Sequence, residues 1–242
     1  DVALLQHAGV HPLIVHGGGP QVTELSERLG LETSFVDGIR VTDRETLDVA
    51  TMVLAGTINT DLVAMLVAND VRAVGLSGVD GGLARVRRLA SPDLGFVGEV
   101  VHVDATVLRA LMSQGFVPVV ASIAADEDGH RYNVNADSMA GELAAGVEAD
   151  KLVYVNDVPG VMGAGGDLLS ELGAQQVLDV LAQDGVVDGG MIPKLESAVR
   201  AVKAGVRRVH LLDGRVDHAL VLELFTPEGI GTMITADGGG SP

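Results

Sequence analysis

The sequence predicts an α/β fold with an open, mainly parallel central sheet sandwiched by helices. Short apolar runs alternate with amphipathic stretches along the chain, and glycine-rich turns separate them. The core must be aliphatic, because 47% of the 242 residues are hydrophobic but only 2% are aromatic. The 32 glycines within this alternation indicate tight strand–helix turns rather than disorder. We expect one domain over residues 1–242, with approximate lobes 1–147 and 148–236 and a disordered tail over 237–242.

Charge and composition exclude several classes of function. The formal net charge of −17 argues against binding to nucleic acid or to an anionic membrane, and means that an anionic substrate needs local positive groups. The chain has no cysteine, which excludes disulfides and thiolate metal sites. We find no apolar run near the roughly 20 residues that span a bilayer, and no signal peptide. The expectation is a cytoplasmic enzyme with no membrane partner.

The first predicted strand and helix enclose a run of glycines. A buried strand is predicted over 11–16, Gly17-Gly18-Gly19 follows it, and Pro20 suits the first turn of a helix that ends at Arg28. Glycines allow a ligand to approach the backbone, and a helix N-terminus offers unpaired N–H groups. The turn therefore predicts a phosphate or carboxylate site, although neither G-x-G-x-x-G nor G-x-x-x-x-G-K-[ST] is present. A tight turn without a ligand is the alternative, but it rarely needs three glycines.

Arg40 lies between a turn at Gly38 and the start of a long helix. Thr42 and Glu45 form a capping-box pattern, and the helical periodicity continues to about Val67. A planar guanidinium before a helix can hold a carboxylate through two hydrogen bonds. A surface arginine is the alternative, and on this motif alone it is the simpler interpretation.

The middle of the chain continues the alternation and ends in a polar cluster. The predicted elements are strands over 71–76, 83–89, 96–103 and 116–121, the second and third as a hairpin, and a helix from Asp104 to Gly115. After a polar turn, Asn133, Asn135 and Asp137 alternate where a small-residue helix to Ala145 begins. Capping needs only one of them, so three indicate a binding crevice. An aspartate there can orient lysines that stabilise a phosphoryl group.

Two features of the C-terminal part suggest nucleotide chemistry. Asp157 and a Pro-Gly turn follow a strand over 151–155, as at the nucleotide edge of an α/β sheet, although a plain turn fits equally well. Lys194, one of three lysines in the chain, follows a glycine pair and opens a helix to Ala204. Its compact ammonium suits one oxygen of a moving phosphoryl group, and a solvated lysine is the alternative. The remaining elements are helices over 175–183 and 216–224 and strands over 207–212 and 231–235.

Five motifs, taken together, carry a resemblance. They are His16-Gly17-Gly18-Gly19-Pro20, Gly38-Ile39-Arg40-Val41-Thr42, Asn133-Val134-Asn135-Ala136-Asp137, Asp157-Val158-Pro159-Gly160 and Gly190-Met191-Ile192-Pro193-Lys194. No single motif is decisive, but in this order over nearly the whole chain they resemble the amino acid kinase family, and within it the N-acetylglutamate kinases. The resemblance implies one amino acid kinase domain, whose N-terminal part binds the acetylated amino acid and whose C-terminal part binds ATP and Mg²⁺.

The resemblance also implies a role for each candidate residue in phosphorylating the γ-carboxylate of N-acetyl-L-glutamate, a step of arginine biosynthesis. The Gly18 and Gly19 amides contact the substrate and the transferring phosphoryl group, Arg40 holds the α-carboxylate, and Asn133 also binds the substrate. Asp137 organises the catalytic lysines, Lys194 stabilises the phosphoryl group, and no protein ligand for a metal is predicted. Residues that border ATP are Asp157, Val186, Val187 and Asp188. The nucleophile is already ionised, so catalysis rests on positioning and charge neutralisation.

One part of the family pattern is not found in the sequence. The family begins with a strand that ends in a phosphoryl-binding lysine, whereas this chain starts near the following helix, over Val2 to Ala8. We therefore expect the first strand to be missing and the chain as given to be nearly inactive. Two alternatives stay open: a kinase for a related acylated acidic amino acid, such as a carrier-linked aminoadipate, and a non-catalytic sensing relative.

The C-terminal segment is similar to that of the arginine-inhibited branch of the family. His210 lies at the end of a predicted strand, Glu223 near the end of the next helix and Gly229 in the following loop. The resemblance implies that L-arginine inhibits the enzyme by binding Glu223, with His210 and the Gly229 backbone assisting. It also implies a homo-oligomer, either a dimer or, when full length, a hexamer. Without the resemblance, an amphipathic helix and a loop would explain the segment.

Overall fold

The computed structural model describes residues 1–36, 38–163, 165–182, 191–226 and 229–236. The chain forms two compact units, an N-terminal unit of Val2–Met139 and a C-terminal unit of Asp1 with Ala140–Pro242. Helices and strands alternate in both, which confirms the predicted α/β class. The predicted tail over 237–242 lies outside the described residues.

The N-terminal unit follows the predicted alternation closely. Its elements are α1 (Val2–His7), β1 (Ile14–His16), α2 (Gly19–Arg28), β2 (Phe35–Val36), β3 (Ile39–Arg40), α3 (Arg44–Thr51), a π-helix (Met52–Ile58), α4 (Asn59–Val67), β4 (Ala73–Ser77), a 3₁₀ turn (Asp80–Gly82), β5 (Ala84–Arg88), β6 (Val97–Val103), α5 (Thr106–Ser113), β7 (Val117–Ala121), β8 (Ile123–Ala125), β9 (Arg131–Val134) and the start of α6 (Ala136–Gly146). Strands β1, β7 and β4 form a parallel sheet with β7 in the middle. The register pairs His16 and Ser77 with Ala121, so the carboxyl ends of all three strands meet at one edge.

The N-terminal unit also contains a small barrel, one strand of which carries the candidate residue Asn133. Strands β5 and β6 form the predicted antiparallel hairpin. A second hairpin, β8 and β9 around the polar turn, was not predicted, because strands of three and four residues are too short to show a period. Strands β5, β6, β9 and β8 close into a barrel, and β9 carries Asn133.

The segment Arg44–Ala68 is one continuous helix of 25 residues. Its N-cap is Asp43, whose carboxylate accepts a hydrogen bond from the Thr46 amide at 2.8 Å. The predicted capping box at Thr42 was wrong, because the Thr42 hydroxyl instead donates to the carbonyl oxygen of Arg40 at 3.0 Å. Val49, Ala50, Val53 and Leu54 of this helix pack into the core of the N-terminal unit.

The same helix corrects a prediction about apolar runs. Its mean hydropathy of 1.6 and its length make it the one helix among the described residues that could cross a membrane by composition alone. The expectation of no apolar run near 20 residues is therefore wrong, since Asp61 is the only charged residue between Val49 and Ala68.

The C-terminal unit is a mixed four-stranded sheet with helices. Its elements are β10 (Lys151–Asn156), β11 (Glu171–Gly173), α7 (Ala174–Leu181), α8 (Ile192–Lys203), β12 (Arg208–Asp213), α9 (Ala219–Phe225) and β13 (Thr232–Thr235). The sheet order is β10-β12-β13-β11, with β10 parallel to β12 and β13 antiparallel to β12. Apolar residues of α8, including the fully buried Leu195 and Ala198, pack with Val209 and Leu211 of β12.

Two glycines of the N-terminal unit have similar φ angles but different surroundings, so comparing them measures the cost of one close contact, between Gly95 and Thr42. Gly95 and Gly129 have φ of +78° and +83°. A Cβ at Gly95 would collide with the Thr42 carbonyl oxygen, whereas one at Gly129 would meet nothing within 4 Å. We expect Gly129→Ala to lower the free energy of unfolding by about 1 kcal/mol through backbone strain. Gly95→Ala should lower it by about 1–3 kcal/mol more through the added clash. Urea unfolding measures both, and equal losses would contradict a role for the Thr42 contact.

Candidate active site

The glycine run forms a loop between β1 and the N-terminus of α2. Gly18 is the N-cap of α2, and a proline stands in the first turn. A Cβ at Gly18 would collide with Ile58 Cδ1 and lie 2.9 Å from Leu54 Cδ2, while one at Gly17 would lie 3.1 Å from Ala136 Cβ. A side chain at Gly17 or Gly18 would therefore displace neighbours in the π-helix or at the start of α6, and the Gly18 and Gly19 amides lie at a helix N-terminus.

Arg40 is a buried cation beside this loop. Arg40 is 6% exposed, and its Nη2 donates hydrogen bonds to Gly19 O at 2.8 Å and to Thr23 Oγ1 at 2.7 Å. The guanidinium lies over the Phe35 ring, 4.6 Å from its centroid. Nη1 is buried and has no hydrogen-bond partner among the described residues. Burial lowers the pKa of Arg40. A buried, partly unsatisfied guanidinium favours an anionic ligand.

Hydrogen bonds connect Arg40 to Asn133. The Thr42 hydroxyl, which donates to Arg40 O, accepts a hydrogen bond from Asn133 Nδ2 at 3.3 Å. Backbone hydrogen bonds on both sides of Thr42, to Leu94 O at 2.8 Å and from Phe96 N at 2.6 Å, hold this link in place. The structure therefore places Gly19, Arg40 and Asn133 in one hydrogen-bonded chain.

Asp137 lies in the first turn of α6, four residues after Asn133. The capping role at this helix belongs to Asn135, whose Oδ1 accepts a hydrogen bond from Ser138 N at 2.9 Å. Asp137 is half-buried and next to Ala136, which contacts Gly17. Because Asn135 provides the cap, Asn133 and Asp137 are not needed for it.

The candidate nucleotide residues lie in the C-terminal unit. Asn156 and Asp213 are paired at the carboxyl ends of the parallel strands β10 and β12, and Asp157 follows as an exposed residue. Asn156 Oδ1 is buried without a partner among the residues described. Two hydrogen bonds from Arg215, at 2.9 and 2.7 Å, bind both oxygens of Asp213 and lower its pKa. Lys194 is half-buried in the first turn of α8. Val186, Val187 and Asp188 lie outside the described residues.

The three candidate effector residues are brought together in the C-terminal unit. His210 Nδ1 lies 2.6 Å from Glu223 Oε1, and Oε2 accepts hydrogen bonds from Ile230 N at 2.6 Å and Gly231 N at 3.0 Å. A Cβ at Gly229 would lie 3.0 Å from Oε2. Burial alone would raise the pKa of Glu223, but the bonds from Ile230 and His210 outweigh it and lower the pKa. The carboxylate therefore holds the loop after α9 against β12.

Two polar residues near these sites, Thr23 and Asn59, were not singled out from the sequence, and His16 was named only as part of the glycine motif, without a role of its own. His16 ends β1, and its ring lies between Gly17 O and Asn59 Nδ2, each 3.0 Å away. A signal was available for Asn59, since it is an amide in the middle of an apolar helix and is only 5% exposed. Nothing local in the sequence marks Thr23 as a partner of Arg40, because the two residues are 17 positions apart.

A cluster of possible metal ligands occurs away from these residues. Ligand atoms of Asp126, Asp128 and His130 lie within 4.8 Å of one another in the turn between β8 and β9. The amides of Asp128 and His130 donate to Asp126 Oδ1, and Tyr132 donates to its Oδ2. These hydrogen bonds to the Asp126 carboxylate stabilise the turn and account for the close approach of the three side chains.

Known proteins match the chain in sequence over most of its length. The amino acid kinase family matches residues 1–213. The acetylglutamate kinase of Symbiobacterium thermophilum is 49% identical over 245 residues, which cover 97% of this chain and 83% of that protein.

Solved structures match it over the same extent. The protein smu.665 of Streptococcus mutans UA159 has a TM-score of 0.85 and 30% identity, covering 98% of this chain and 90% of that one. N-acetylglutamate synthase from Neisseria gonorrhoeae, complexed with coenzyme A and N-acetyl-glutamate, has a TM-score of 0.87 and 27% identity, covering 99% of this chain and 55% of that one. The same enzyme complexed with coenzyme A and L-arginine has a TM-score of 0.86. On these matches in sequence and structure, the chain belongs to the amino acid kinase family.

Proposed function

We propose that the protein is an acetylglutamate kinase, which uses ATP to phosphorylate the γ-carboxylate of N-acetyl-L-glutamate in arginine biosynthesis. The observation that carries the proposal is Arg40, a buried cation whose Nη1 has no acceptor among the described residues. A substrate carboxylate would satisfy Nη1 and neutralise the buried charge. The 49% identical acetylglutamate kinase supports this choice of substrate. Use of ATP as donor supports a cytoplasmic location.

We assign the acetylated amino acid to the N-terminal lobe, 1–147, and ATP with Mg²⁺ to the second lobe, 148–236. Arg40 and Asn133, linked by hydrogen bonds, support the first assignment. Asn156 and Asp157 support the second assignment, since an amide oxygen with no partner among the described residues and an exposed carboxylate at the carboxyl ends of parallel strands fit a nucleotide and a hard cation. ATP supplies the phosphoryl group, and Mg²⁺ offsets its negative charge.

The chemistry that the chain provides is positioning and neutralisation of charge. Arg40 binds the α-carboxylate, which leaves the already ionised γ-carboxylate to attack without a general base. The Gly18 and Gly19 amides and the Lys194 ammonium stabilise the transferring phosphoryl group. We assign to Asp137 the role of orienting the lysine ammonium groups that contact the phosphoryl group. In a chain with a net charge of −17, these local positive groups are required to bind an anionic acceptor.

The first test is substrate-dependent release of ADP by the full-length protein. With ATP and Mg²⁺, we expect ADP release that depends on N-acetyl-L-glutamate. Turnover only with another acylated acidic amino acid, such as a carrier-linked aminoadipate, would show that the protein is a kinase with a different substrate. No turnover with either, but retained binding of acetylglutamate, would favour a non-catalytic sensing protein and overturn the proposal.

Variants at Lys194 and Arg40 separate the two roles within the same assay. Lys194→Ala should lower kcat by about 10²–10³-fold, since the ammonium acts as charge moves. Arg40→Lys keeps the charge but loses the planar fork, and should raise KM for acetylglutamate by about 10–100-fold. Lys203→Ala, at the exposed far end of α8, is the matched control and should retain wild-type constants. Small, equal effects at Lys194 and Arg40 would place both outside the site.

We further propose that the protein is a homo-oligomer, a dimer or a hexamer. The support is a set of exposed apolar side chains on the helix Arg44–Ala68, where Met52, Met65 and Val67 are 61%, 63% and 55% exposed. We expect light scattering to give a dimer or a larger assembly, and Met65→Asp to reduce the measured mass. Leu29→Asp, at the C-cap of α2 and 59% exposed, should leave the mass unchanged. A monomeric wild type would contradict the proposal.

L-arginine is proposed as the feedback inhibitor. Support comes from the clustering of His210, Glu223 and Gly229 and from the Neisseria gonorrhoeae synthase complexed with L-arginine. Because Glu223 already accepts three hydrogen bonds, a guanidinium would compete with His210 or the 230–231 amides and shift that loop.

Titration with arginine tests this assignment. We expect L-arginine to inhibit the full-length enzyme, and Glu223→Gln to weaken inhibition by about tenfold, because the fork loses its charged partner. Glu171→Gln, on the exposed face of β11, is the control and should be inhibited like the wild type. An uninhibited wild type, or equal inhibition of Glu223→Gln, would show that the site is wrong.

A further inference from the structure

His16 and Asn59 connect the glycine loop to the long helix. The His16 ring lies with Nδ1 3.0 Å from Gly17 O and Nε2 3.0 Å from Asn59 Nδ2. Asn59 is buried at the start of α4, and its Nδ2 also lies 2.9 Å from Val119 O in β7. The preceding residue, Ile58, packs against Gly18. The helix therefore contacts the loop through two consecutive side chains.

The surroundings of Asn59 determine the protonation of His16. Val119 O is a carbonyl oxygen and can only accept, so the Asn59 amide must present its NH₂ group to it. Nδ2 also lies 3.4 Å from Leu76 O, a second carbonyl oxygen, and 3.0 Å from His16 Nε2. Because an amide nitrogen cannot accept a hydrogen bond, His16 Nε2 must be the acceptor in this contact. The ring is therefore neutral, with its proton on Nδ1, and it donates to Gly17 O. Burial lowers the pKa of His16, which agrees with a neutral ring.

The bond to Gly17 O fixes the direction of the next amide. In a planar trans peptide, the carbonyl of Gly17 and the N–H of Gly18 point in opposite directions. Holding Gly17 O toward His16 therefore turns Gly18 N–H away from it. Glycines leave φ and ψ free, so the side chains at this loop must supply the constraint that the loop's own residues lack.

We propose that His16, held by Asn59, is a positioning residue that sets the direction of the Gly18 N–H. The inference rests on the proposed function only for what that amide contacts, namely the transferring phosphoryl group. An amide already aimed at this group stabilises developing charge without reorganisation. Because both ring nitrogens of His16 face protein groups, Gly17 O and Asn59 Nδ2, we assign its effect to the Gly17–Gly18 peptide. The effect should appear in kcat rather than in KM.

Two substitutions at His16 separate positioning from packing. In His16→Asn, the amide nitrogen can take the place of Nδ1 and still donate to Gly17 O, but the contact with Asn59 is lost. In His16→Gln, the amide reaches the place of Nε2, where it satisfies Asn59 but cannot donate to Gly17 O. We expect His16→Asn to keep kcat within about threefold and His16→Gln to lose about tenfold, with KM unchanged in both. If His16 only fills space, the larger glutamine that satisfies Asn59 should be the better replacement.

The full-length enzyme is assayed with acetylglutamate, and thermal unfolding checks that each variant folds. His7→Gln, at an exposed position at the end of α1, is the control and should match the wild type. If His16→Gln retains as much kcat as His16→Asn, or if the change is confined to KM, the proposal is overturned.

Nuclear magnetic resonance gives a readout that does not depend on turnover. Long-range ¹⁵N–¹H spectra of the full-length wild type should show the His16 tautomer with Nδ1 protonated. The Gly18 amide signal should move in His16→Gln and stay in His16→Asn. A proton on Nε2, or an unmoved Gly18 signal in both variants, would overturn the positioning role. A wild type that shows this tautomer and these Gly18 shifts in its variants, but does not phosphorylate acetylglutamate, would instead refute the proposed function.

Discussion

Close packing of the π-helix Met52–Ile58 against the glycine loop is the constraint on which the N-terminal unit depends. Leu54 and Ile58 occupy the space where a side chain at Gly18 would stand. The same π-helix leads directly into Asn59, which bonds to His16 and to β7. A π-helix is rare, and where it occurs it is frequently found at a functional site. Here it positions both the surface and the polar anchor of the loop.

The hydrogen-bonded chain from Gly19 to Asn133 shows how distant segments build one candidate site. Arg40 and Asn133 lie on β3 and β9, and neither strand is longer than four residues. Thr42 joins them, and its backbone is paired on both sides with residues 94 and 96. Short strands alone would fix these side chains poorly. The closed barrel and the Gly95 contact supply the rigidity, since the barrel leaves few free edges.

The sequence predicted the class of fold and most element positions, because apolar runs and glycine turns are local signals. It placed Gly18, Gly19 and Asp137 at helix starts, where the structure has them. It assigned the helix cap to Thr42 rather than Asp43, because both residues can cap and only the contact of Thr42 with Arg40 O separates them. The second hairpin and the His16–Asn59 bond depend on tertiary contacts between residues far apart in sequence. No local pattern reveals such contacts before the chain is folded.

Arg40 and Glu223 show why burial alone does not identify a ligand site. Both are charged and nearly buried, at 6% and 8% exposure. Glu223 accepts hydrogen bonds on both oxygens from His210, Ile230 and Gly231, so its desolvation is compensated within the chain and it serves as a structural link. Arg40 is compensated at Nη2 only, and Nη1 has no acceptor in the described part of the chain. A bound carboxylate would recover the cost of that unsatisfied group, which supports the proposal that Arg40 is a binding residue. An effector at Glu223 must instead displace bonds that already exist, so arginine binding there would be coupled to movement of the loop that Glu223 holds.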